Sequence, residues 1–205
     1  PIFSGSVEGI QPPPARIFLF DTRGSDHRLV DSTTVDRKGI FKLRKRSWTT
    51  GFYQLSLDKN DRVDIILDAR EPNVVIAFAG TPLQEHIRVV ASDENARLWE
   101  YKLASRALQS ELATIKLRRS QSDPLDVAAL ARLDYAEARA MEKRTTTLDR
   151  LIASGPDSYF TRVVGTDRRL TAAAGKGSAA IASAIDWTDA SLVRSSVHPR
   201  AMLQY

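Results

Sequence analysis

Apolar and polar residues alternate with a period of two through much of the first ninety residues. The alternation is clearest in residues 40–44 (IFKLR) and 51–57 (GFYQLSL), while residues 63–67 and 74–78 are short apolar runs. Alternation of this kind is typical of half-buried strands, and short apolar runs bounded by turns are typical of buried ones. Seven or eight such segments, spaced roughly 8–12 residues apart, predict an antiparallel β-sandwich or barrel.

Turn residues separate these segments. The stretch Asp36 to Gly39 lies between the strands predicted at residues 28–35 and 40–44, and Gly39 can adopt a positive φ. We therefore predict a four-residue hairpin turn there. The proline stretch at residues 11–14 cannot donate ladder hydrogen bonds and should end the first strand.

The hydrophobic period changes at Ser92, a good N-cap followed by two acidic residues. A single apolar helix stripe follows, formed by Leu98, Tyr101, Leu108, Leu112 and Ile115. A second helix is predicted to start with Asp123 as its cap and Pro124 in the first turn, and to stop at Ser154 and Gly155. The short connection makes residues 92–154 an antiparallel αα-hairpin.

The rest of the chain is less regular. Residues 157–164 predict one more short helical segment, residues 165–178 a loop, and residues 179–205 a partly helical segment. The fold class is therefore α+β, with an antiparallel β-domain over residues 1–91 and a helical region over residues 92–205.

Catalytic chemistry has few candidates. The chain has no cysteine, which excludes thiol catalysis, disulfide bonds and cysteine-ligated metals. His27, His86 and His198 are far apart and form no metal-binding pair. Gly175 to Ser178 lacks the spacing of a phosphate-binding loop and is interpreted as an ordinary loop. We expect no catalytic residue, metal or cofactor in this chain.

The net charge of +5 does not indicate a nucleic-acid-binding protein, because basic and acidic residues are mixed in both halves of the chain. The densest basic cluster comprises Lys42, Arg44, Lys45 and Arg46, and we interpret it as a solvated strand face or protected edge.

No apolar run of about 18 residues is present, so no transmembrane segment is expected. The start at Pro1 suggests a removed signal peptide or a trimmed chain, and the ending at Tyr205 suggests a cut from a longer protein.

Two aromatic residues are candidates for contact with a ligand or partner. Trp48 lies in the loop at residues 47–50 and Tyr53 in the strand that follows. Trp48 either caps the β-core or is exposed for binding, and core capping is the favoured interpretation.

Several short segments together resemble a known family. They are residues 3–7 (FSGSV), 29–36 (LVDSTTVD) running into 39–41 (GIF), 51–55 (GFYQL), 92–95 (SDEN) with Leu98 and Tyr101, 157–159 (DSY), and 185–187 (IDW) through Leu192 to Tyr205. This set is similar to the N-terminal region of Bacteroidota thioredoxin-like proteins of the TlpA/ResA (AhpC/TSA-like) group. That region begins with a β-domain of unknown function, and the resemblance covers nearly the whole chain.

The resemblance implies export, often as a lipoprotein, and a following thioredoxin-fold domain with a C-x-x-C motif. None of the family's redox residues has a counterpart here, because the chain has no cysteine. The implied role is an accessory module of a thiol–disulfide oxidoreductase in the periplasm or outer envelope, which positions the redox domain, mediates dimerisation or engages a client protein. The alternative is an envelope β-sandwich that binds glycans or peptides, with Trp48 or Tyr53 as stacking platforms.

Overall fold

A computed structural model describes residues 2–10, 14–23, 26–43, 48–58 and 60–204. Several sequence-based predictions fall on residues outside these ranges: most of the proline stretch, the loop around Gly24, Lys59 of the turn at residues 58–61, and Arg44, Lys45 and Arg46 of the basic cluster.

The chain forms two compact units. The first comprises Pro1–Ala96 and Asp157–Tyr205, and the second comprises Arg97–Pro156. The boundary expected at residue 92 falls inside the first unit, which also contains residues 157–205.

Eight strands make up most of the first unit, at Ile2–Val7 (β1), Arg16–Arg23 (β2), Asp26–Thr34 (β3), Ile40–Leu43 (β4), Gly51–Ser56 (β5), Arg62–Leu67 (β6), Asn73–Phe78 (β7) and Ile87–Ala91 (β8). Each overlaps a segment predicted as a strand, either from alternation or from a short apolar run. The described strands form two four-stranded sheets, ordered β4-β1-β7-β8 and β3-β2-β5-β6, with no closed barrel. The predicted α+β class with a sandwich-like β-region is confirmed.

One pairing departs from the expected antiparallel arrangement. β1 pairs with β7 in parallel, with Phe3 opposite Val74 and Gly5 opposite Ile76, whereas the other five pairings are antiparallel. A parallel pair requires a long connection between its strands. Here the connection contains the whole second sheet, which local alternation does not reveal.

The Asp36–Gly39 turn is present, but it does not close a hairpin. Gly39 has φ 79°, its N–H donates to the Asp36 carbonyl at 2.9 Å, and the Asp36 carboxylate accepts from the N–H groups of Lys38 and Ile40, each at 2.8 Å. The flanking strands then enter different sheets, β3 beside β2 and β4 beside β1. The turn chemistry was predicted correctly, and the pairing of its two strands was not.

Buried side chains alternate along the strands of both sheets. Phe3 and Phe41 make an edge-to-face contact with ring centroids 5.9 Å apart. Phe41 lies over Gly5, where an added Cβ would fall 2.6 Å from the Phe41 ring and 2.0 Å from the Ile76 carbonyl oxygen. Glycine is therefore required at position 5 by the close approach of both neighbours.

Three of the four sheet edges carry features that block pairing with another strand. The β2–β3 register shifts between Leu19 and Phe20, and the β7–β8 register shifts between Val75 and Ile76, which places a bulge on edge strands β3 and β8. A bulge twists an edge strand, so that its backbone no longer offers a regular row of hydrogen-bonding groups to another strand. The free edge of β6 is bound by Asn95, as described below.

The helices of the first unit are α3 (Tyr159–Ala173), α4 (Ser178–Ala184) and α5 (Val197–Gln204), with a 3₁₀ helix at Ala190–Arg194. The helices α3, α4 and α5 contact one another, and the 3₁₀ helix contacts β2 and β5. α3 continues through Gly165 into the segment predicted as a loop, because burial of Leu170 and Ala173 outweighs the weak helix propensity of glycine. The partly helical character of the last segment is confirmed.

The second unit contains most of α1 (Asp93–Gln121) and all of α2 (Val127–Ala153). The cap of α1 is Ser92, as predicted, with its Oγ accepting from the N–H of Asn95 at 3.1 Å. α2 begins three residues later than predicted, because Asp126 is its cap and accepts from the N–H of Ala129 at 2.9 Å. Asp123 instead stabilises the preceding turn through the N–H of Leu125.

Candidate functional site

A set of connected polar contacts, several of them buried, lies in the first unit, where two helix N-termini meet the β6–β7 turn. We call this set the capping junction. It consists of Asp68, Arg70, Glu71, Ser92, Glu94, Asn95, Asp157 and Ser158.

Glu71, in the β6–β7 turn, caps the start of α1. Its carboxylate accepts from the Ser92 hydroxyl at 2.7 Å and from the Glu94 N–H at 2.9 Å. The first N–H groups of a helix lack partners within the helix, and a carboxylate there also complements the helix dipole. Glu71 and Ser92 together therefore fix the position of the first turn of α1 against the sheet.

Glu94 caps the other helix, α3. Its two carboxylate oxygens accept from the N–H groups of Tyr159 at 2.7 Å and Phe160 at 2.8 Å, while Ser158 accepts from the N–H of Thr161 at 3.0 Å. The Glu94 residue is only 4% exposed. Burial raises the pKa of Glu94, with Asp68 and Glu71 acting in the same direction, and the two N–H donors oppose this only in part.

Asp68 and Arg70 form an ion pair at the edge of the junction. The guanidinium binds the carboxylate through Nη2 at 2.6 Å and Nε at 3.0 Å, and it also donates to the Asp157 carbonyl at 3.2 Å. Burial raises the pKa of Asp68, but the bonds from Arg70 and Thr50 outweigh this and leave the pKa below its ordinary value. The same guanidinium lies 3.8 Å from the Glu94 carboxylate.

Asn95 binds backbone groups on the outer edge of strand β6, where no neighbouring strand pairs with them. Its Oδ1 accepts from the Ile66 N–H at 2.8 Å and its Nδ2 donates to the Ile66 carbonyl at 2.7 Å. Asn95 is fully buried. The amide side chain thus takes the place of a neighbouring strand at this position.

A second buried cluster contains one of the two aromatic candidates. The Tyr53 hydroxyl donates to the Thr49 carbonyl at 2.7 Å and accepts from Arg194 at 3.0 Å, and Arg194 lies 3.4 Å from Asp21. Burial raises the pKa of Tyr53. The arrangement holds the 3₁₀ helix against β2 and β5.

Trp48 and Tyr53 contact each other edge-to-face with ring centroids 6.0 Å apart. Trp48 is 3% exposed and Tyr53 is 1% exposed. Both rings are therefore part of the core, as the core-capping interpretation requires, and neither presents the open face that a stacking platform needs.

The other sequence candidates are not brought together. His27 lies in β3, His86 in the loop before β8, and His198 in α5, where its ring is 5.6 Å from that of Trp187. Within the described ranges, no group of three His, Asp or Glu side chains could hold a metal ion. Gly175 and Gly177 have positive φ in a loop between α3 and α4.

The helical hairpin of the second unit is joined by polar contacts. Arg119 binds Asp134 at 2.7 Å and Glu137 at 2.9 Å, and Arg144 donates to Ser105 at 3.2 Å. Further contacts join Arg144 to Tyr101, Arg150 to Glu100, and Arg97 to Ser154. These pairs run in opposite directions along the two helices, which confirms an antiparallel hairpin.

The same hairpin exposes large apolar side chains. They are Leu103, Leu117, Leu125, Val127, Tyr135 and Met141. Single exposed apolar residues are common, and six of them lie on this unit of sixty residues.

Sequence reasoning placed Glu94 only in the first turn of its own helix. The structure shows that it acts on the N-terminus of α3, 65 residues away in the chain. No spacing in the sequence links residues 92–95 to residues 157–159, and this contact was not predicted.

No protein-family model, curated protein or solved structure matches this chain. Among the residues that the structure describes, no helix has the length and apolarity needed to cross a bilayer.

Proposed function

We propose that the chain is a non-catalytic accessory module of an exported thioredoxin-like thiol–disulfide oxidoreductase. In this role it positions the redox domain or mediates client binding or dimerisation in the periplasm or outer envelope. The observation that carries the proposal is that the buried ionisable side chains described above are all engaged in structural contacts. Asp68, Glu94 and Tyr53 are bound to helix ends, backbone groups or an opposite charge, and such contacts stabilise a fold.

Two further observations support the proposal. The segments at residues 92–95 and 157–159, which resemble the family, contact each other through Glu94 and Tyr159 and thereby act as structural motifs. The helical hairpin also exposes apolar surface suited to a protein partner.

The sharpest test is the reading frame of the gene beyond the codon for Tyr205. We expect it to encode a βαβ pattern with a C-x-x-C motif. A stop codon there, or an unrelated domain, would contradict the proposal.

A second test is insulin reduction by the purified chain, for which we expect no activity above buffer. Measurable disulfide reduction would refute the non-catalytic role.

The alternative function, a β-sandwich that binds envelope glycans or peptides, is favoured by one observation. A shallow polar groove runs between β3 and β4, lined by Asp31, Ser32, Thr33, Thr34, Lys42 and Leu43. A glycan array tests this alternative, because specific binding that is lost on Asp31→Ala substitution would favour it over the accessory role.

A further inference from the structure

The chain leaves and re-enters the first unit at a single place. Ala96 is the last residue before the helical hairpin, and Asp157 is the first residue after it. Within a few residues of both, the Glu94 carboxylate accepts from the N–H groups of Tyr159 and Phe160 at 2.7 and 2.8 Å. The two chain segments that flank the hairpin are therefore joined by contacts within the first unit, and the hairpin is an insertion between them.

The first turn of α1 belongs to the first unit, although the helix continues into the hairpin. Residues 93–96 of this helix lie in the first unit and residues 97–121 in the second. Glu94 and Asn95 are buried, and Asn95 exchanges two hydrogen bonds with the backbone of Ile66 in β6. The first turn is thus held in place by the sheet and by the N-terminus of α3.

The segment that follows the hairpin is also fixed within the first unit. The Tyr159 ring contacts that of Phe52 in β5, with centroids 5.8 Å apart, and the Tyr159 hydroxyl lies 3.1 Å from the Arg194 carbonyl oxygen. Arg194 in turn donates to the Tyr53 hydroxyl at 3.0 Å. A Cβ added at Gly51 would lie 2.6 Å from the Arg194 Cβ, so glycine makes room for this side chain. These contacts tie the returning segment to β5 without any residue of the hairpin.

The hairpin buries fewer apolar side chains than the first unit does. Six are buried in its sixty residues and thirty among the described residues of the first unit, so the hairpin buries about half as many for its length. The contacts between its two helices include ion pairs and hydrogen bonds of partly exposed side chains, such as Arg119 and Arg144. Because apolar burial is the dominant favourable contribution to folding, the hairpin should be the less stable of the two units.

We infer that the hairpin opens and refolds while the first unit stays folded, and that the opening of α1 stops at its first turn. Forming the first turn is the costly step of helix formation. Because the capping junction keeps that turn formed, α1 retains a nucleus from which the hairpin refolds. A partner that binds the folded hairpin would stabilise it without acting on the first unit. The inference does not depend on the proposed function.

Native-state hydrogen exchange of the full chain tests the inference. After correction for intrinsic rates, amides in the middle of α2 should exchange at least about tenfold faster than amides of β5. The amides of Asn95 and Ala96 should behave like those of β5, because both donate to Ser92 within the first turn of α1. Equal exchange of α2 and β5, or exchange of Asn95 and Ala96 together with the rest of α1, would overturn the inference.

A proline in the hairpin supplies a second, independent test. Ala107→Pro removes a helix hydrogen bond at an exposed position of α1 and should accelerate exchange in α2 by about tenfold or more. Exchange in β5 should change by less than about threefold, because the two units are separate. The matched control is Ala128→Pro in the first turn of α2, where a helix tolerates proline, and it should change neither. If Ala107→Pro accelerates exchange in β5 as much as in α2, the two units unfold together and the inference is wrong.

Discussion

Glu94 in the first unit and Arg119 in the second each bind two partners, but in different surroundings. Glu94 is almost fully buried and holds two backbone N–H groups that have no other partner in their helix. The Arg119 side chain is 38% exposed and holds two carboxylates that water can also reach. A buried bond is costly to break, whereas an exposed ion pair contributes little.

The same contrast holds for apolar residues. The first unit buries the rings of Phe3, Phe41 and Phe78, while the second leaves Val127, Tyr135 and Met141 exposed. Among the described residues, the first unit also exposes eight large apolar side chains, whereas the second exposes six in fewer than half as many residues. The contrast between the units is therefore one of proportion, with the larger exposed apolar share in the second.

The largest expected effect is loss of a core ring in the first unit. Phe41→Ala should lower the free energy of unfolding by about 3–5 kcal/mol, because it leaves a cavity beside Phe3 and Gly5. Leu103→Ala in the hairpin should change it by about 0.5 kcal/mol or less. Urea unfolding followed by circular dichroism measures both, and equal effects would contradict the comparison.

The next largest effect is loss of the α3 cap. Glu94→Ala leaves the N–H groups of Tyr159 and Phe160 without their acceptor. Each unsatisfied buried donor costs roughly 1–3 kcal/mol. Hydrogen exchange at these two amides should accelerate in the variant more than exchange in β5 does, and unchanged protection would show that the cap is dispensable.

The pH dependence of Glu94 and Asp68 should have opposite signs. The folded-state pKa of Glu94 lies above its ordinary value of 4.5, so the stability it contributes is present below that value and is lost as pH rises through the folded-state pKa. The advantage of the original chain over Glu94→Gln should therefore fall as pH rises above 4.5.

Asp68 serves as the matched control for that measurement. Its folded-state pKa lies below the ordinary value of 3.8, so its contribution is present above that value and is lost as pH falls. The advantage of the original chain over Asp68→Asn should shrink on acidification. Urea unfolding of the three proteins across pH 3 to 8 measures both slopes, and slopes of the same sign would show that one assignment is incorrect.

Sequence reasoning recovered the strands because alternation is a local property. It located all eight segments, the Asp36–Gly39 turn and the Ser92 cap. It did not recover the choice of strand partners, because the parallel β1–β7 pair and the separation of β3 from β4 depend on contacts between distant residues.

The helix boundaries and the capping junction also show how far local sequence patterns can predict the structure. The proline at position 124 led to the prediction of Asp123 as the cap of α2, whereas the structure uses Asp126. The role of Glu94 depends on amides 65 residues away, so no spacing rule could reveal it. The burial of Trp48 and Tyr53 likewise depends on how the loop at residues 48–50 folds back onto the core.

The smallest expected effect belongs to the hairpin's exposed ion pairs. Arg119→Ala removes contacts to Asp134 and Glu137, but solvent competes for all three side chains. The urea midpoint should fall by no more than about 0.3 M. This difference should largely disappear in 0.5 M NaCl, because salt screens exposed charges. Arg194→Ala, which removes a largely buried partner of Asp21 and Tyr53, should retain its larger effect in the same salt. If instead the Arg119 effect were the larger and survived salt, the ion pairs of the hairpin would contribute as buried contacts do, and the contrast between the two units would not hold.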